Sequence, residues 1–186
     1  PPAINKHNTH SGIPTPPAAC HATGAVTATS PYSPAPGGLV SYNLGSIRFS
    51  YAIGAVTGNR GGGLAGQNGG TIQSCFAAGP VSGDDAGGLV AINSRTIANC
   101  FATGPVSGGE TYAGGLVGQN SGANAVITAS YARGTVSGDA TYIGALLGQN
   151  NDATGSTIES SYFLITAGPD NGYGTPLTDT QMKQQA

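Results

Sequence analysis

Gly114-Gly115-Leu116-Val117-Gly118-Gln119-Asn120 opens a unit whose parts return along the chain. Gly37-Gly38-Leu39-Val40, Gly62-Gly63-Leu64-Ala65 and Gly87-Gly88-Leu89-Val90 precede it, and the altered Gly144-Ala145-Leu146-Leu147 follows. The leucines stand 25, 25, 27 and 30 residues apart. A period of this size is the signature of a stacked repeat. An asparagine comes four residues after each leucine, at Asn43, Asn68, Asn93, Asn120 and Asn150, and an isoleucine follows at Ile47, Ile72, Ile97, Ile127 and Ile158. A small residue and an aromatic come next, as Ser50-Tyr51, Cys75-Phe76, Cys100-Phe101, Ser130-Tyr131 and Ser161-Tyr162. Turns around Val56, Val81, Val106 and Val136 close the units, and Cys20 to Thr27 reads as a leading half-unit.

Each apolar run is too short and too broken by glycine for a helix, and suits strands of three or four residues. One unit has too few apolar side chains to make a core and must bury them against its neighbours. The expectation is an all-β, parallel β-solenoid (β-helix) of about five coils of 25 to 30 residues, stacked ~4.8 Å apart around a thin ladder of Leu, Ile and Val. The added residues between Val106 and Leu116, Val136 and Leu146, Leu116 and Ile127, and Leu146 and Ile158 fall in Gly-, Ser-, Asn- and Asp-rich stretches, which read as loops.

In such a stack the column Asn43, Asn68, Asn93, Asn120 and Asn150 forms an amide ladder, each side chain donating to one neighbour and accepting from the other. The glycines flanking it are expected to supply positive φ angles. The column Tyr51, Phe76, Phe101, Tyr131 and Tyr162 reads as core if the rings point inward. If they point outward it reads as a binding strip for sugars or partner proteins. Small flanking residues favour rings that face out, unless the turn after the isoleucine reverses the parity. Cys75 and Cys100 fall at the same position of adjacent coils, within the ~4.4 to 6.8 Å Cα window of a disulfide, and are a candidate pair. A column of buried free thiols is the alternative.

The unit running from Gly114 to Gly138 resembles the GLUG motif, found in tandem in large bacterial surface proteins. These include adhesin-like proteins and the non-catalytic repeats of immunoglobulin A metallopeptidases. The resemblance covers roughly residues 20 to 163, and the tail with Gly174-Thr175-Pro176-Leu177-Thr178 is similar to a segment that often follows such repeats. It implies an extracellular, cell-surface, non-enzymatic stalk or adhesive module. The peptidase chemistry is not carried over, because no His-Glu-x-x-His is present.

Composition narrows the alternatives. The 186 residues include 32 glycines but only 8% charged side chains, with a net charge of -2. Six lysines and arginines cannot build a phosphate-neutralising surface, so nucleic acid is an unsuitable partner. No run approaches the ~18 apolar residues of a membrane helix. The N-terminus lacks the pattern of a signal peptide, so a secreted form would be represented here in mature or trimmed state. No catalytic constellation, metal site or cofactor motif emerges, His7 and His10 having no carboxylate or thiol close by in the sequence. Asp84-Asp85 against Arg60 one coil away reads as a surface ion pair.

The chain thus divides into a Pro-rich extended arm or linker (1–19), the GLUG-like solenoid (20–165) and a C-terminal cap segment (166–186). The last should hold a short helix over Thr178 to Gln185, with Thr178 or Asp179 as N-cap, covering the final coil. The expected partners are copies of itself, stacked into a filament through the N-terminal arm, or the rest of a larger surface protein. A glycan or host protein on the aromatic column is the alternative, and covered ends favour a stalk over a filament.

Overall fold

A computed structural model describes residues 19–28, 35–151 and 155–185. Their strands form four parallel sheets, each running the length of a solenoid of about five coils, so the predicted fold class is the observed one. The leucine sheet takes Val40–Asn43, Ala65–Asn68, Val90–Asn93, Val117–Asn120 and Leu147–Asn150 in order. Ser46–Arg48, Thr71–Gln73, Thr96–Ala98, Val126–Thr128 and Thr157–Glu159 make the isoleucine sheet. The aromatic sheet runs from His21–Ala22 through Tyr51–Ala52, Phe76–Ala77, Phe101–Ala102, Tyr131–Ala132 and Tyr162–Leu164 to Thr175–Leu177. A valine sheet is built on Val26–Thr27, Val56–Thr57, Val81–Gly87, Val106–Gly114 and Val136–Gly138. Registers keep like on like: Ile97 pairs with Ile72 and Ile127, and Phe101 with Phe76 and Tyr131.

The apolar ladder divides into two cores. Leu64, Leu89, Leu116 and Leu146 pack with the isoleucines, the cysteines and Ala52, Ala77, Ala102 and Ala132. Val56, Val81, Val106 and Val136 pack separately with Ala86, Ala113 and Ala140. Ala86 lies in one core and Leu89 in the other, so Gly87-Gly88 carries the chain across from the valine core to the leucine core. The crossing explains the glycine pair. A Cβ on Gly87 would stand 1.9 Å from the Val90 carbonyl oxygen, and one on Gly88 2.0 Å from that of Gly115. The expected positive φ angles are not found at these pairs, whose glycines are required by the closeness of neighbouring backbone.

Left-handed conformations occur elsewhere, on residues with side chains. Phe49, Ser74, Asn99, Ala129 and Ser160 have φ of 50, 54, 53, 47 and 44°. They form one column, at the corner between the isoleucine and aromatic sheets. A left-handed L-residue costs roughly 1–2 kcal/mol, and the two sheets meeting there hold the corner in place.

The insertion between Val106 and Leu116 is not a loop. Gly83 pairs with Gly108 and Asp85 with Tyr112, so Gly109-Glu110-Thr111 bulges opposite Asp84 within the continuous strand Val106–Gly114. Pairing on both sides of the extra residues holds them to the sheet, and such bulges are the usual way a strand absorbs an insertion.

At the C-terminal end, Thr175–Leu177 adds to Tyr162–Leu164. The Asn171 Nδ2 donates to the carbonyls of Leu147 (2.8 Å), Gly148 (3.0 Å) and Ile143 (3.2 Å), which would otherwise end the coil unpaired. The helix Asp179–Gln185 starts with a capping box, in which the Thr178 amide donates to Gln181 Oε1 at 2.9 Å and the Gln181 amide donates back to Thr178 Oγ1 at 3.4 Å. It does not cover the last coil as expected. Arg133 pairs with Asp179, and the buried Met182 lies beside Phe101, Tyr131 and Tyr162, so the helix rests along the flank of the aromatic sheet. The Pro-rich arm lies outside the described residues, apart from Ala19.

Candidate functional site

Two ladders run the length of the solenoid. In the first, Asn43 Nδ2 donates to Asn68 Oδ1 at 2.7 Å, Asn68 to Asn93 at 2.8 Å, Asn93 to Asn120 at 2.7 Å and Asn120 to Asn150 at 2.8 Å. All five side chains are buried. Asn43, Asn68 and Asn93 also close the turns that follow their strands, each Oδ1 accepting the amide two residues on. Asn68 Oδ1 accepts the Gly70 amide at 3.2 Å, and its Nδ2 donates to the Thr96 carbonyl at 3.2 Å. A buried amide with its donors and acceptors satisfied stiffens and specifies a core, whereas one left half-satisfied is costly.

The second ladder is aromatic. Tyr51 and Phe76, Phe76 and Phe101, and Phe101 and Tyr131 stack with centroids 4.9, 4.9 and 5.0 Å apart and planes within 9° of parallel. His21 extends the stack onto Tyr51 at 5.4 Å. The alanines that follow the rings are buried and the rings themselves, with Tyr162, are half-buried. The rings therefore stand on the outer side of the sheet, stacked on one another. Faces of the inner rings are covered by their neighbours, which leaves edges towards solvent. A shallow groove of about 490 Å³ runs beside the end of the stack, lined by Asn99, Phe101, Ala129, Tyr131, Tyr162 and Met182 among others. Burial pushes the Tyr131 phenol above its ordinary ionisation range, against the pull of Arg133.

Cys75 and Cys100 are neighbours in the small-residue column, both buried and both free thiols, so the candidate disulfide is not formed. Each thiol instead donates to the carbonyl two residues back, Gln73 and Ala98, at 3.2 Å. The neighbouring Cys100 thiol draws the Cys75 ionisation down to about 7, and Cys75 together with burial pushes Cys100 up. Cys20 is exposed.

The ion pair read from the sequence is deeper than a surface pair. Arg60 Nε meets Asp85 Oδ2 at 3.3 Å, and the Asp85 side chain is only 11% exposed, with Oδ1 buried and without a hydrogen-bond partner among the described residues. Its neighbour Asp84 accepts from Asn59 Nδ2 at 2.6 Å. Tyr112 and Tyr142 stack 5.6 Å apart on the same side, a pair that the repeat pattern did not reveal because the earlier coils hold Arg60 and Asp85 at that register position. Among the described residues no group of three or more His, Cys, Asp or Glu is placed to hold a metal ion, and no helix is long and apolar enough to cross a membrane.

A family model described as the GLUG motif matches residues 109–137. The match begins in the bulge, takes in the leucine strand, the asparagine, the isoleucine strand and the aromatic pair, and ends in the valine turn. These residues are a GLUG motif, and the same marks recur in the coils before and after it. No curated protein and no solved structure matches the chain significantly.

Proposed function

We propose that this chain, a β-solenoid carrying a GLUG motif, serves as a non-enzymatic extracellular module of a bacterial surface, a stiff spacer that holds adhesive parts away from the cell. The carrying observation is the pair of continuous ladders. Every coil from Asn43 to Asn150 is tied to the next by a buried amide, and the rings from His21 to Tyr131 stack without a gap. The conspicuous side chains are thereby spent on joining coils to one another, which suits a structural repeat.

The ends support a spacer over a simple filament. His21–Ala22 and Val26–Thr27 stand one coil ahead of Val40–Asn43, and Thr175–Leu177 stands one coil beyond Tyr162–Leu164. Continuing the leucine sheet into a second copy would set Val40–Asn43 on Leu147–Asn150. That placement puts His21–Ala22 of the added copy where Tyr162–Leu164 already lies. A glycan on the aromatic column would likewise meet ring edges rather than the open faces on which sugars stack.

Electron microscopy with light scattering on the purified chain, with and without residues 1–19, tests the reading. Monodisperse short rods in both forms are expected. Filaments that vanish on removing the arm would replace the spacer with a self-assembling fibre subunit.

A further inference from the structure

The ring stack breaks at its C-terminal end, and the break makes a site. Tyr131 stacks on Phe101 at 5.0 Å, whereas Tyr162, its register partner one coil on, does not stack on Tyr131. The groove of about 490 Å³ opens there, in the volume range of small-molecule sites. One wall is aromatic and apolar, formed by the half-buried Tyr131 and Tyr162 with the buried Met182 brought up by the helix. The other wall is the left-handed corner, where the exposed Asn99 and Ser160 contribute an amide and a hydroxyl beside Ala129, at φ of 53, 44 and 47°. Glycine would hold this corner without strain, yet a chain with 32 glycines places none in the column. Backbone strain of this kind is found at ligand clamps.

We propose that this groove binds a neutral saccharide, with the C–H face of one pyranose ring against Tyr131 and Tyr162 and its hydroxyls hydrogen-bonded to Asn99 and Ser160. A sugar ring is apolar on its faces and polar around its rim, which matches an aromatic wall opposite an amide and a hydroxyl. Charge decides for a neutral one. Among the described residues the lining of the groove carries no formal charge, and Arg133, close enough to act on Tyr131, is already paired with Asp179. A peptide strand is a poorer fit, because Phe101–Ala102, Tyr131–Ala132, Tyr162–Leu164 and Thr175–Leu177 pair in succession, so the sheet backbone at the groove is already paired on both sides. The inner rings, whose faces are covered by their neighbours, take no part. The site adds to the spacer role and does not depend on it.

A printed panel of gluco-, galacto-, manno- and N-acetylglucosamine oligosaccharides, with sialylated and sulfated ones beside them, tests this, followed by titration of the strongest neutral binder. The full-length chain is compared with Tyr162→Ala, Asn99→Gly and the control Ser74→Gly, which alters the same corner column outside the groove. Neutral sugars should bind wild type, and Tyr162→Ala and Asn99→Gly should each weaken binding about tenfold, with Ser74→Gly matching wild type. Glycine suits the left-handed corner, so Asn99→Gly should melt close to wild type, which assigns its lost binding to the missing amide. No neutral sugar held on the panel, binding confined to the acidic sugars, or equal binding by all variants would overturn the proposal. So would self-association of wild type that Tyr162→Ala abolishes, which would make a second copy the occupant.

Discussion

Asn93 donates its side-chain amide to Asn120 Oδ1 at 2.7 Å while its own Oδ1 accepts from Asn68 at 2.8 Å, so one fully enclosed side chain joins three coils. Its Nδ2 also donates to the Arg95 carbonyl at 2.8 Å. Asn93→Ala removes these bonds together and leaves buried polar atoms on both neighbours, a loss of about 2–4 kcal/mol. Asn43→Ala, at the end of the ladder among the described residues, should cost roughly half as much. Urea unfolding midpoints of the two variants check the ratio.

The corner column gives a prediction of opposite sign. Ala129 is exposed and held at φ 47°, where glycine has no Cβ penalty. Ala129→Gly should therefore stabilise the chain by about 1 kcal/mol, part of the gain being returned as unfolded-state entropy. Gly88→Ala should prevent folding, since its Cβ meets backbone on the adjoining coil. Thermal unfolding monitored by circular dichroism separates the two cases.

Thiol chemistry should report the small-residue column. Cys20 is exposed and the other two cysteines are buried free thiols. A colorimetric thiol reagent should modify one cysteine quickly in the native chain and three in denaturant without reductant. A count of one in denaturant would mean that Cys75 and Cys100 had been oxidised to a disulfide.

Alkaline pH should loosen the fold. Burial raises the phenol ionisation of Tyr131 and of Tyr112 above 10.0. The unfolded chain therefore gives up these protons first. Their contribution is intact below the unfolded value and is lost as pH rises through the folded one. Melting temperature should stay level up to about pH 9 and fall above about pH 10, with phenolate absorbance appearing on unfolding.

The columns were legible in the sequence because a stacked coil repeats its environment: one buried amide or one enclosed leucine requires the same residue in each unit. The left-handed corner was not legible, since Phe, Ser, Asn, Ala and Ser share no side-chain chemistry and the constraint acts on backbone alone. That corner also sets the parity of the rings, which is why the residues by themselves left their orientation open. The bulge at Gly109-Glu110-Thr111 has a loop-like composition, and pairing on both sides is what makes it strand. The division into two cores depends on backbone crossing at Gly87-Gly88, and a list of apolar positions carries no sign of it.

The ring stack has a consequence for how the molecule can be read under load. Its aromatic planes lie nearly parallel at 4.9 to 5.0 Å, close to the spacing of strands within a sheet. Pulling the coils apart along the axis separates the rings in proportion. Coils that part also part their rings, so the near-ultraviolet circular dichroism of the chain should change when tension opens the rod.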